Sequence, residues 1–247
     1  RKHFTPEQSW KGKQQFLHFE AIMGKSKIWV NGKLLKEHFG GFLPVIVDVT
    51  PYLNYGEDNV IAVCADNSDD PSYPPGKPQD ALDFAYFGGI YRDCWMIVHN
   101  HVFITDPNYE NETAGGGLFV SFDKVSEQSE LLKLDAHIRN NSEKSFSGKI
   151  VYELYDRNDN RVLSKETNLS VNNGKAKQSS CKATIETPHL WSPDSPYLYK
   201  LHVYVKDRAE NIIDGYYRRI GIRSVEFKGK DGFWLNGKPY PYPLIGC

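Results

Sequence analysis

Nowhere in this chain do apolar residues recur every 3.6 positions. They come in short runs, many of period two, broken by Asn-Gly, Gly-Gly and Pro, a pattern that admits strands and turns. Gln15 to Ala21 reads as a strand with one face on a core. Ser26 to Val30 and Lys33 to His38 flank Asn31-Gly32, the dipeptide that tolerates positive φ at both centres of a type I′ turn, so a hairpin is expected there. Its alternation is read as sending the Trp29 indole into the core. Val45 to Val49, Asn59 to Ala65 and Cys94 to Val98 supply further strands. After about residue 103 some seven more follow, in Leu118–Phe122, Leu131–Arg139, Lys149–Tyr155, Val162–Val171, Cys181–Thr187, Leu198–Lys206 and Ile212–Glu226. That number and spacing suit an immunoglobulin-like sandwich. Asn236-Gly237 marks one more hairpin. The 247 residues are enough for two domains, each with its own core.

Charge and cysteine usage narrow the partners. Thirty Lys and Arg against 31 Asp and Glu leave a net charge of -1, which predicts neither nucleic acid nor an anionic membrane as partner and points to uncharged ligands. The 15 Tyr, 13 Phe and 5 Trp suit stacking on sugar rings, but each is first of all a strand or core residue. Cys64, Cys94, Cys181 and Cys247 lack zinc or redox spacing and read as free, mostly buried thiols, with a Cys64–Cys94 bridge left open. His99 and His101 alternate along one strand face, and two histidines without a third ligand make a poor metal site. No stretch approaches a membrane span and Arg1-Lys2-His3-Phe4 opens without a signal-peptide core, so the compartment stays undetermined.

Between the strands lies a breaker-rich segment, Asp66-Asn67-Ser68-Asp69-Asp70-Pro71-Ser72-Tyr73-Pro74-Pro75-Gly76-Lys77-Pro78, followed by Leu82-Asp83-Phe84-Ala85-Tyr86-Phe87-Gly88-Gly89-Ile90-Tyr91-Arg92-Asp93. A loop of about twenty residues in a compact domain is usually functional or disordered, and this aromatic, Gly-Gly ending predicts an ordered, functional one. Together with Lys27-Ile28-Trp29-Val30-Asn31-Gly32-Lys33 upstream and Leu190-Trp191-Ser192-Pro193-Asp194-Ser195-Pro196-Tyr197-Leu198-Tyr199 downstream, it resembles the amino-terminal half of glycoside hydrolase family 2 enzymes, the bacterial β-galactosidases above all.

The resemblance implies an all-β chain: a jelly-roll-like, galactose-binding-type sandwich over 1–103, an immunoglobulin-like sandwich over 104–226, and over 227–247 the lead-in to a (β/α)8 barrel that would begin about where Leu244-Ile245-Gly246-Cys247 stands. It places the acid/base and nucleophile glutamates in that barrel. No residue of this chain is therefore assigned a catalytic role, and the chain by itself is expected to hydrolyse nothing. The close carboxylate pairs, Asp69-Asp70 and Asp80 with Asp83, are read as loop acids. The resemblance singles out Asp83 as both substrate-binding and metal-binding, a carboxylate that takes galactose hydroxyls and helps to hold sodium. A carboxylate accepts two hydroxyl bonds and is a hard ligand for a hard cation. The competing reading is a turn-anchoring aspartate. An asparagine that completes this half-site in the family would lie upstream of Arg1. Asp70 weakly matches a divalent-cation ligand of some members, with a solvated loop the preferred reading. Gly88-Gly89 and Arg92, which could fork onto a carboxylate, read as scaffold, and Trp191 as packing.

The cofactors implied are none for this chain, with sodium and in some members magnesium for a full-length parent. The partners implied are a β-galactoside substrate and a homo-oligomer, with no nucleic acid and no membrane. Rival readings are a stand-alone carbohydrate-binding module, the same part of a β-glucuronidase or β-mannosidase, and a purely structural pair of sandwiches.

Overall fold

The computed structural model describes residues 1–123 and 125–242, so the expectations attached to Cys247 and to residues 244–247 lie outside the described residues. The chain forms two compact units, one of residues 1–101 with 108–111 and one of 102–107 with 112–247. The all-β expectation is borne out.

In the first unit nine strands form in order: β1 (Lys2–Phe4), β2 (Gln14–Phe19), β3 (Ile22–Met23), β4 (Lys25–Val30), β5 (Lys33–Phe39), β6 (Val45–Asp48), β7 (Asn59–Asp66), β8 (Gly89–Ile90) and β9 (Cys94–His99). One antiparallel sheet runs β1-β7-β4-β5, a second β6-β2-β9, and β3 pairs with β8. The inner faces share one core, to which β4 gives Ile28 and Val30, β2 gives Leu17 and Phe19, and β6 gives Val45 and Val47. Side chains alternate across a strand, so the residue between Ile28 and Val30 faces outward. That residue is Trp29, which is half-buried on the outer face beside Ala62 and Cys64, and its expected place in the core is corrected. A bulge at Ile28/Trp29 shifts the pairing so that Ile28 meets Lys36 and Trp29 meets Leu34. The Asn31-Gly32 hairpin forms as expected, with φ of 50° and 80° at its centres.

The cysteine reading is also corrected in part. The thiols of Cys64, Cys94 and Cys181 are free, but Cys64 and Cys94 are exposed, on β7 and β9 of different sheets.

The second unit holds β10 (Val102–Ile104), β11 (Leu118–Asp123), β12 (Ser129–Asn140), β13 (Phe146–Tyr155), β14 (Arg161–Val171), β15 (Ala176–Glu186), β16 (Tyr199–Asp207) and β17 (Ile212–Ile220). In one sheet β12 pairs with β10, β11 and β15, and the other runs β14-β13-β16-β17. Between them lie Leu132, Leu134, Ile150, Leu154, Leu201 and Val203, each 0% exposed. Two hairpin loops are organised alike by an aspartate: Asp156 accepts the Asn158 and Asn160 amides, and Asp207 accepts those of Ala209 and Asn211. The strand expected over 212–226 is interrupted after Ile220. It resumes as β18 (Val225–Phe227), which pairs with β19 (Phe233–Leu235), and β19 pairs with β20 (Lys238–Pro239) around Asn236-Gly237. Trp191 packs as expected: its ring lies where a Cβ on Gly221 would come within 2.9 Å, and the Arg223 guanidinium sits 5.0 Å from its centroid.

Candidate functional site

The loop between β7 and β8 carries Asp83, and both of its ends land on the corner between β3 and β4. At the near end a Cβ on Gly24 would stand 2.2 Å from the carbonyl oxygen of Asp66. Only glycine lets the two backbones come so close, and Gly24 also has φ +83°. At the far end Gly89 and Ile90 pair with Met23 and Ile22. There a Cβ on Gly88 would meet the Asn67 amide at 2.8 Å, so Gly88 closes the loop back onto its own start.

Within the loop, aspartates make the turns. Asp66 accepts the backbone N–H of Ser68 at 3.0 Å and its hydroxyl. Asp70 accepts the N–H of Ser72 at 2.9 Å and its hydroxyl at 2.6 Å. The Asp-x-Ser spacing of Asp66-Asn67-Ser68 and Asp70-Pro71-Ser72 is a turn signal readable in the sequence, although these anchors were not anticipated. The Ser68 and Ser72 hydroxyls, with their backbone amides, hold Asp66 and Asp70 below the ordinary aspartate value of 3.8. Farther along, the Tyr86 hydroxyl donates to Asp69 at 3.3 Å, the Tyr73 ring lies 6.0 Å from Phe39, and the Tyr91 hydroxyl donates to the carbonyl of Gly41.

Asp83 follows a single turn of 3-10 helix over Gln79–Ala81. It is exposed and makes no hydrogen bond or ion pair among the described residues, unlike Asp66, Asp69 and Asp70 on the same loop. Phe84 is 49% and Phe87 77% exposed beside it. Arg92 does not fork onto a carboxylate among the described residues; its guanidinium lies 5.4 Å from the Tyr91 ring centroid. Asp70 is a turn anchor. His99 sets its ring against Phe16 at 6.1 Å. No group of three or more His, Cys, Asp or Glu side chains able to hold a metal occurs among the described residues. Asp83 belongs to no such group, and no helix among the described residues is long and apolar enough to cross a membrane.

One pH dependence follows. A carboxyl whose value is depressed on folding adds stability above its unfolded value, and that stability is lost as the pH falls through the folded value. The amide proton shifts of Ser68 and Ser72 are therefore expected to titrate with midpoints below 3.8 as Asp66 and Asp70 protonate. Midpoints at or above 3.8, read by NMR, would show that these contacts do not hold the loop.

Comparison with known proteins assigns this architecture. Residues 1–100 match the sugar binding domain of glycosyl hydrolases family 2, and residues 117–223 match the domain model of the same family. A β-galactosidase of Thermoanaerobacter pseudethanolicus is 33% identical over 241 residues, covering 97% of this chain and 30% of that protein. A β-glucuronidase of Formosa agariphila is 30% identical over 242 residues, covering 96% of this chain and 24% of that protein. The crystal structure of a Bacteroides uniformis β-glucuronidase superposes with a TM-score of 0.84 at 29% identity, over 97% of this chain and 28% of the other. The chain thus spans about a quarter to a third of the length of these relatives. Two consecutive domain models of one family, in the family's order and over nearly the whole length, make this chain a member of glycoside hydrolase family 2 that carries its sugar binding domain and the β-sandwich after it.

Proposed function

We propose that this chain is the non-catalytic amino-terminal part of a retaining β-galactosidase, in which it supplies scaffold and one wall of the substrate pocket. In such an enzyme two carboxyl groups about 5–5.5 Å apart act as acid/base and nucleophile in a double displacement at the terminal β-galactoside. This chain's contribution is Asp83, whose carboxylate accepts vicinal galactose hydroxyls. The observation that carries this is the contrast within one loop: Asp66, Asp69 and Asp70 are engaged by neighbours, whereas Asp83 is exposed and unengaged on a loop fastened at both ends. The 33% identity to a β-galactosidase supports the choice of sugar.

The exposed Phe84 and Phe87 on the same loop, with Ile90 on β8 at its end, are what a face meant to be covered looks like, and we assign its cover to the barrel of the parent enzyme. Sodium belongs to the same proposal, as an ion held by Asp83 together with ligands from the rest of the parent. Among the described residues no group of three or more His, Cys, Asp or Glu gathers around Asp83, so the remaining ligands of that ion would come from elsewhere in the parent. The substrate is a β-galactoside and the assembly a homo-oligomer.

A second reading, the same part of a β-glucuronidase, is favoured by the 30% identity to the Formosa agariphila enzyme. Full-length parent assayed with paired chromogenic substrates separates the two. Turnover of the β-galactoside is expected, with a kcat/KM at least tenfold above that for the β-glucuronide. The reverse preference would establish the second reading.

A further inference from the structure

The first unit holds a second concavity that the Asp83 loop does not enter. β5 and β6 are edge strands of their two sheets and are not hydrogen-bonded to one another, and the gap between them opens into a cavity of about 320 Å³. That volume lies at the lower end of the range for small-molecule sites. None of its lining residues falls between 66 and 91.

Ile46, 7% exposed, is among the residues that line the cavity. Two aromatic rings stand in the walls. Tyr52 has the Lys33 ammonium 4.6 Å from its ring centroid, and Tyr109 is held at 4.9 Å, edge to face, against Phe16. Polar groups of both kinds reach the same space. Asp48 spends one carboxylate oxygen on the Thr50 N–H at 2.9 Å, which orients the group and leaves its second oxygen to accept. Lys36 is exposed and makes no ion pair among the described residues, so its ammonium is available to donate, and Asn108 also lines the cavity.

Among the lining residues Lys36 and the half-engaged Asp48 put one charge of each sign, with the Lys33 ammonium close by on the Tyr52 ring, so an anion meets Asp48 and a cation meets the lysines, which disfavours a ligand of either net charge. What fits is a neutral molecule with hydroxyls that both donate and accept and a carbon face for the rings. We infer that the cleft between β5 and β6 is a binding subsite for a neutral hexopyranose unit, with Asp48 accepting from vicinal hydroxyls, Lys36 donating to a hydroxyl or ring oxygen, and Tyr52 and Tyr109 as its walls. It is separate from the proposed Asp83 contact and does not depend on it.

Amide chemical-shift titration of the whole chain with methyl β-D-galactopyranoside tests this. Saturable shifts are expected at Lys36, Asp48 and Tyr109 with a Kd on the order of millimolar, typical of an open site of this size. Lys36→Met and Asp48→Asn are each expected to weaken binding at least about fivefold with Tm unchanged, the asparagine still accepting the Thr50 N–H. Tyr109→Leu, which removes one ring wall at a position 39% exposed, is expected to weaken binding likewise and gives a third reading should either of those lower Tm. Asp83→Asn is expected to leave this Kd as it is. The inference is overturned by no saturation up to roughly 50 mM ligand, by affinity unchanged in all three cleft variants, by shifts confined to residues 66–91 that vanish in Asp83→Asn, or by tighter binding of methyl β-D-glucuronide.

Discussion

Asp83→Asn in the full-length parent is expected to lower kcat/KM for a β-galactoside by about ten- to a hundredfold while leaving Tm where it was. The carboxylate is exposed and makes no hydrogen bond or ion pair among the described residues, so the fold does not rest on it. What the substitution removes is charge. Asparagine keeps one acceptor oxygen but not the second, and a hydrogen bond to a charged group contributes about 1.5–3 kcal/mol, which matters for rate where it is stronger in the transition state than in the ground state. The sodium concentration giving half-maximal activity is expected to rise as well, since a negatively charged ligand would be gone. The check is a set of initial rates at several sodium concentrations beside a thermal melt. Kinetics matching the unmodified enzyme throughout would make Asp83 scaffold. A large fall in Tm would make it the turn-anchoring aspartate of the competing reading. In the isolated chain the same substitution is expected to change stability hardly at all.

Gly24→Ala is expected to act in the opposite way, removing the platform and not the contact. A methyl at Gly24 would sit 2.2 Å from the Asp66 carbonyl oxygen and 2.9 Å from the Asn67 Cα, both backbone atoms that cannot swing aside. The residue also has φ +83°, where a side chain costs about 1–2 kcal/mol. Adding about 1–3 kcal/mol for forced displacement, the first unit is expected to lose about 2–5 kcal/mol. That corresponds to a fall of about 10–30 °C in its Tm. Because the clash falls where the loop leaves β7, galactoside turnover by the parent should decline with it, and limited proteolysis should cut first within residues 67–88. A melting temperature within a degree or two of the unmodified protein would mean that the loop start relaxes freely, and that the close approach does not hold Asp83 in place.

These two residues mark how far the sequence can be read. Asp83 was singled out by its motif and by resemblance, and what the structure adds is the contrast with its engaged neighbours. Gly24 carried no signal. Its importance comes from Asp66, forty-two residues on, arriving against it when β4 and β7 pair with Lys25 opposite Asp66. The anchors Ser68 and Ser72 lie between these cases, since their Asp-x-Ser spacing was visible but what the turns brace was not.

The same division runs through the fold. Asn31-Gly32 and Asn236-Gly237 are hairpins because four consecutive residues decide a turn of positive φ, with 50° and 80° at the first and 52° and 72° at the second. Short period-two runs made strands because that preference, too, is settled within a few residues. Alternation, however, specifies only that neighbours face opposite ways, not which way is inward. Ile28 and Val30, each 0% exposed, lie in the core shared with β2 and β6 while Trp29 lies on the outer face beside Ala62, and the sheet that faces them, not the strand, set the phase. Likewise the apolar runs around Cys64 and Cys94 were real strands whose thiols came out on exposed positions. Local conformational preference, readable residue by residue, determined the all-β class, the turns and the loop. Sheet order, strand phase, the closure of the loop upon Gly24 and the cleft between β5 and β6 depend on contacts between residues distant in the chain, and only the tertiary structure brings those together.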